Sequence, residues 1–139
     1  MSKVFVDANL LIYLNTVTNA ELRSLLESFY LDLLTRYKAF TDPLVLDELI
    51  YVSKVKYGVP YDVSLEFIDA VVKPYVVLLP IGEDEFNEAA KAVRDYGMKP
   101  SDALHYGAMR TRGIPLIASE DSDFDGLPEV KRIWAVPNR

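Results

Sequence analysis

"KVFVDANLLIYL", residues 3–14, sets a lone acid between two apolar runs, and how that acid is read decides the fold. Val4, Phe5 and Val6 make a short β-branched and aromatic run of the kind that forms a buried strand. Leu10, Leu11 and Ile12 resume the apolar character almost at once. Asp7, with Ala8 and Asn9 behind it, divides the two, so the stretch reads as a strand, a polar turn and the start of a helix. Asp7 then stands at the strand's carboxyl end. Capping a helix that begins near Asn9 is one sufficient reason for it.

Outward from this stretch, four more β-like runs follow at 38–41, 75–79, 115–118 and 131–134. The segments between them have helical period. Leu22, Leu25, Leu26, Phe29, Leu33 and Leu34 form an i, i+3, i+4 stripe, and Phe86, Ala89, Ala90 and Val93 form another, closed by Gly97 as a C-terminal cap. Thr41-Asp42-Pro43 reads as strand end, N-cap and first helical residue. Strands alternating with helices predict a single α/β domain over residues 1–139, with a parallel sheet of about five strands covered on both faces. Ligand sites in such sheets lie beyond the carboxyl ends of the strands.

Composition narrows the chemistry. Cysteine is absent and His105 is the one histidine, which excludes disulfides, thiolate metal sites, a Cys nucleophile and His-rich zinc chemistry. The N-terminal apolar stretch is broken by Asp7 and lacks a small-residue cleavage site, and the run at 70–81 is too short to span a bilayer, so a soluble cytoplasmic protein is expected. A net charge of −6 argues against coating nucleic acid with Lys and Arg. It leaves room for a phosphate contact bridged by a cation.

Three further acidic positions need an account. Glu48, on a helix over 43–57, shares a face with Leu44, Val45, Tyr51, Val52 and Val55. A carboxylate on a core-facing stripe costs several kcal/mol unless paired or bound to a cation, since even a neutral polar group costs on the order of 2–7 kcal/mol. A buried ion pair is the alternative, although no Lys or Arg lies on that stripe. Asp47 shares its face with Lys54 and reads as solvated. Asp102, in "KPSDALHYGAM", falls in the first turn of a helix, where it complements the helix dipole. That helix runs back against the following strand, so its N-terminus reaches the same sheet edge as Asp7. Ala103 and Gly107 on it permit a close helix approach. Finally "SEDSDFDGL" crowds Glu120, Asp121, Asp123 and Asp125 just after the strand at 115–118. Such loops are often simply solvated.

Each acid has an ordinary explanation; their convergence does not. Two carboxylates ~5 Å apart repel by roughly 3 kcal/mol at an effective dielectric near 20. Gathering several demands protonation or a compensating cation. Oxygen-only donors select hard divalent ions, Mg²⁺ or Mn²⁺, over zinc or copper, and no EF-hand spacing suggests Ca²⁺.

In "VFVDANLLIYL", "DPLVLDELIY", "SDALHYGAM" and "IASEDSDFDGLPEVKRIWAVP", taken in that order and at these separations, the chain resembles the PIN-domain nucleases, and most of all the VapC-type toxins of toxin–antitoxin pairs. The resemblance spans nearly the whole chain. It implies a three-layer α/β/α fold and metal-dependent endoribonuclease activity leaving a 5′-phosphate and a 3′-hydroxyl. By motif, the catalytic and metal-binding acids it implies are Asp7, Glu48, Asp102 and Asp121, with Asp123 an accessory metal ligand or substitute. Asn9 and Ser119 fall at supporting polar positions. The loop leaves open which of Glu120, Asp121 and Asp123 binds the ion. His105 either lines the groove or packs beside it.

The resemblance also implies one or two Mg²⁺ or Mn²⁺ ions, an RNA substrate, a small antitoxin partner that often reaches into the acidic groove with a basic side chain, and a homodimer. The exposed face of the helix at 20–37, with Tyr30 and Tyr37, is a candidate dimer surface. Three other readings stand beside this one. They are a PIN nuclease acting without an antitoxin, a catalytically silent PIN-fold binding module, and a phosphoacceptor receiver domain. The last needs paired acids after the first strand and an Asp after the third, whereas Asp7 stands alone and "YVVLLPIG" ends without one.

Overall fold

The computed structural model describes residues 1–136. Five parallel strands form one sheet in the order β3-β2-β1-β4-β5: β1 is Lys3–Val6, β2 Lys38–Thr41, β3 Val76–Leu78, β4 Leu116–Ala118 and β5 Lys131–Ile133. The expected runs are all present, trimmed by a residue at some ends. Trp134 leaves β5 to lie against Tyr13 and Phe29, and Pro137, the last residue of the quoted motif, falls outside the described residues. Val4 pairs with Ala39 on one side and Leu116 on the other. As the central strand, β1 has Val4, Phe5 and Val6 fully buried, which is why that run is continuously apolar rather than alternating.

Helix α1 is Ala8–Thr16, α2 Ala20–Arg36, α3 Pro43–Tyr57, α4 Tyr61–Phe67 running on into a π-helical turn at Ile68–Val72, α5 Glu83–Tyr96 and α6 Pro100–Arg112. The first two crossovers step in one direction, from β1 to β2 and on to β3. The third reverses, from β3 past β2 and β1 to β4. Right-handed crossovers then put α1–α4 on one face of the sheet and α5 with α6 on the other. The reversal makes the carboxyl ends of β1 and β4 the switch point of the sheet, where a binding crevice opens.

Three details depart from the sequence reading. The buried face of α3 carries Val45, Leu49 and Ser53, while Glu48 lies on the exposed side with Tyr51 and Val55, which are 58% and 64% exposed. The apolar stripe through Glu48 is therefore not core-facing, and the expected penalty for a buried carboxylate does not apply there. In α5 the buried residues are Glu85, Ala89 and Ala92, and Phe86 is 60% exposed. Small residues face inward because α5 packs tightly on α6: a Cβ on Gly107 would come within 2.3 Å of the Glu85 carbonyl oxygen. Tyr30 is buried and donates its hydroxyl to the Val71 carbonyl at 2.6 Å, so it offers no dimer surface. Among the described residues no helix is long and apolar enough to cross a membrane.

Candidate metal centre

Asp7 follows β1 directly and caps α1, its Oδ1 accepting the Ala8 amide at 2.8 Å. Capping is thus real, yet it occupies one oxygen only. The other accepts the Ser119 hydroxyl at 2.6 Å. Ser119, at the end of β4 and fully buried, also accepts from Asn9 Nδ2 at 3.1 Å and from the Asp121 amide at 3.0 Å. Asn9 Oδ1 in turn accepts the Glu120 amide at 3.2 Å. The two central strands are thereby tied across the switch point through Asp7, Asn9 and Ser119.

The acidic loop sorts itself by partner. Glu120 accepts the Tyr13 hydroxyl, and Asp125 takes Arg132 in a two-pronged contact at 2.9 and 3.0 Å, which holds its carboxyl below the usual range. Arg132 also donates to the Ser119 carbonyl at 3.2 Å, pinning the loop to β5. Asp121 opens a short 3₁₀ turn, Ser122–Phe124, by accepting the Asp123 amide at 2.9 Å. Asp121 and Asp123 face Asp102, which stands in the first turn of α6, and ligand oxygens of all three lie within 4.8 Å of one another. Glu120, engaged by Tyr13, stands outside this group.

Asp7 and Glu48 lie beside this trio rather than within it. Their charges are nonetheless felt. Partial burial, then the charges of Asp121 and Asp7, push the Asp102 carboxyl up to about 6, and a hydrogen bond with Asp121 adds to the effect. Glu48 is likewise raised, by partial burial first and then by Asp7, although the residue as a whole sits on the exposed side of α3. A shallow groove of about 280 Å³ runs between them, lined by Glu48, Tyr51, Asp102 and His105 among others. All four expected acids therefore share one electrostatic neighbourhood at the carboxyl edge.

One part of the arrangement was not foreseen. Asp42, the N-cap of α3, accepts the Val45 amide with one oxygen at 3.0 Å and meets His105 Nδ1 with the other at 2.6 Å. Both residues are buried, and the imidazole stacks at a tilt on Phe5, with centroids 5.5 Å apart. Burial alone would depress His105, but the Asp42 hydrogen bond and charge, aided by Asp7 and Asp102, outweigh it and raise its basicity. The imidazolium lowers both Glu48 and Asp102 in return. His105 thus both packs and lines the groove.

The donor set suits a hard divalent ion. Three carboxylates converge, and no nitrogen or sulfur donor joins them among the described residues.

A family model described as the PIN domain matches residues 4–130. No match is found among curated protein sequences. Among solved structures, the chain is similar to VapC20 of Mycobacterium tuberculosis, described as a sarcin–ricin loop cleaving toxin, with a TM-score of 0.71, 18% identity and coverage of 91% of this chain and 98% of that one. A DNA-bound VapBC from Salmonella typhimurium gives a TM-score of 0.72 at 15% identity, covering 98% and 100%. A toxin–antitoxin complex from Klebsiella pneumoniae gives 0.68 at 15%, covering 92% and 95%.

Proposed function

This chain belongs to the PIN domain family, and from that premise we propose that it is a Mg²⁺- or Mn²⁺-dependent endoribonuclease of the VapC toxin type, acting in the cytoplasm. The observation that carries the reading is the approach of Asp102, Asp121 and Asp123 to within 4.8 Å, beside Asp7 and Glu48, at the switch point of the sheet. Asp102, Asp121 and Asp123 are the residues that would hold the ion, with Asp7 and Glu48 completing the negative field around it. When bound, such an ion polarises a phosphodiester oxygen and acidifies a water molecule at neutral pH.

The protein's own part is positioning. Ser119 holds Asp7 and the backbone of Asp121 at once, so the first and last acids keep their spacing. Asn9 fixes the loop between them. The Asp42–His105 contact joins the start of α3 to α6, and so sets Glu48 against Asp102. No nucleophilic side chain is needed, in keeping with the absence of cysteine.

A small antitoxin and a second copy of the chain are the proposed protein partners, a reading supported by the likeness in fold to toxin–antitoxin complexes. Purified protein is to be assayed on RNA with Mn²⁺ and with EDTA, next to Asp7→Asn, which keeps a side chain able to cap α1. Cleavage should require the metal and vanish in the variant while circular dichroism stays unchanged. A variant that cuts as fast as the wild type refutes the reading. Co-expression with the neighbouring reading frame separates the toxin from a PIN nuclease working alone.

A further inference from the structure

The acidic centre does not end in a blind pocket. Asp102 forms a wall of two separate depressions. One is the groove with Glu48 and Tyr51 described above; the other, of about 400 Å³, is lined by Tyr96, Lys99, Asp102, Asp123 and Leu127. The two meet at Asp102, so a chain could enter along one and leave along the other with the carboxylates between.

Each arm carries a tyrosine on its floor or rim. Tyr51 is 58% exposed and stands one turn beyond Glu48 on α3. Tyr96 is 49% exposed at the end of α5, its ring steadied edge-on by Tyr106 at 6.4 Å between centroids. Lys99, well exposed, lies 3.8 Å from Asp123 where the second arm approaches the acids. A protein of net charge −6 cannot draw its affinity for a polyanion from many phosphate contacts. Aromatic faces supply affinity that does not depend on net charge, because any unpaired base can stack on them. Paired bases cannot reach such faces without leaving the helix.

Resting on the nuclease reading, we propose that the two arms form the path of an unpaired RNA strand, with bases stacked on Tyr51 and Tyr96 on either side of the phosphate held at the acidic centre. Tyr51 and Tyr96 are thereby the residues that position the strand, one on each side of the acids. A second copy of this chain is the competing occupant of the exposed Tyr51 side of α3.

The test is binding, not cleavage. A fluorescein-labelled decauridylate is titrated with the full chain in Ca²⁺, its integrity checked on a gel, and a blunt-ended duplex of equal length is compared. Tyr51→Ala and Tyr96→Ala should each weaken the single-strand complex by about 5- to 150-fold, the range expected for one stacked base. Tyr51→Phe and Tyr96→Phe should bind like the wild type, and the duplex should bind more weakly than the single strand. The salt dependence should be shallow, since few cations line the path. Alanine variants that are folded by circular dichroism yet bind undiminished overturn the proposal, as does a wild type that binds no single strand. Sedimentation showing that Tyr51→Ala only splits a dimer, with RNA affinity unchanged, overturns it in favour of the second copy. Tyrosine-dependent binding without any cleavage would support this path and sink the nuclease reading; cleavage with tyrosine-insensitive binding would do the reverse.

Discussion

Replacing Asp102 by Asn should stabilise the metal-free protein and impair the metal-bound one. In the folded chain the Asp102 carboxyl is raised from 3.8 to about 6. A carboxyl that holds its proton more tightly when folded favours the fold below its unfolded value, and that advantage is lost as pH rises through the folded one. At neutral pH the ionised group is a liability. The shift corresponds to about 3 kcal/mol, but the group is only half withdrawn from water, and solvent screening reduces this to about 1–1.5 kcal/mol. Asn also forfeits the favourable charge at the start of α6, worth about 0.3–1 kcal/mol. A net gain centred on about 0.6 kcal/mol, and at most about 1.2 kcal/mol, is left for Asp102→Asn at neutral pH in EDTA, vanishing at about pH 4. Saturating Mn²⁺ reverses the order, since a ligand at a hundred times its Kd stabilises the wild type by about 2.7 kcal/mol and a chain lacking a ligand by much less. Urea unfolding followed through Trp134, the one tryptophan, reads all of these states. If Asp102→Asn is the less stable protein in EDTA, or if both proteins gain equally from Mn²⁺, the charge-crowding argument is wrong.

Two other substitutions probe the supports of the centre. Gly107→Ala places a methyl group 2.3 Å from the Glu85 carbonyl oxygen, a backbone atom that no side-chain rotation can clear. A loss of about 1–3 kcal/mol is expected by thermal unfolding, with weaker Mn²⁺ binding by calorimetry because Asp102 rides on the displaced helix; an alanine variant as stable as the wild type would show the helices free to part. Ser119→Ala strands an oxygen of buried Asp7 and releases Asn9 and the Asp121 amide, which should cost about 1–3 kcal/mol in urea unfolding. Unchanged stability there would mean that water replaces the hydroxyl without penalty.

What the sequence disclosed depended on the range of the interaction. Strands and caps are local, so the break at Asp7 and the Thr41-Asp42-Pro43 step could be read directly. The direction of each helix then carried Asp102 and the acidic loop to the right edge. Glu48 exposed the weakness of periodicity: α3 has apolar residues on two sides, and only tertiary packing chose Val45 and Leu49 over Tyr51 and Val55 for burial. The same held for α5, where inward Ala89 and Ala92 prevailed over Phe86 because Gly107 brings α6 so close. Asp42 was legible as a cap, whereas its second partner, His105, lies 63 residues away and no local pattern announces it. The pairing of Glu120 with Tyr13, 107 residues away, belongs to the same class; Asp125 meets Arg132 only 7 residues on, but across an irregular loop with no period to reveal it, and these two contacts separate Glu120 and Asp125 from Asp121 and Asp123.

The loop after β4 is clamped from downstream, by Arg132 on β5, and this bears on where the molecule loosens first. Arg132 grips Asp125 and the Ser119 carbonyl, and β5 is an edge strand, only partly buried and paired with β4 alone. Segments with few buried contacts open locally before the rest of a fold. Detachment of β5 would free the loop that carries Asp121 and Asp123 while β1, β2 and β3 stayed paired, so the acidic centre loses its shape at a lower energy than the sheet beneath it.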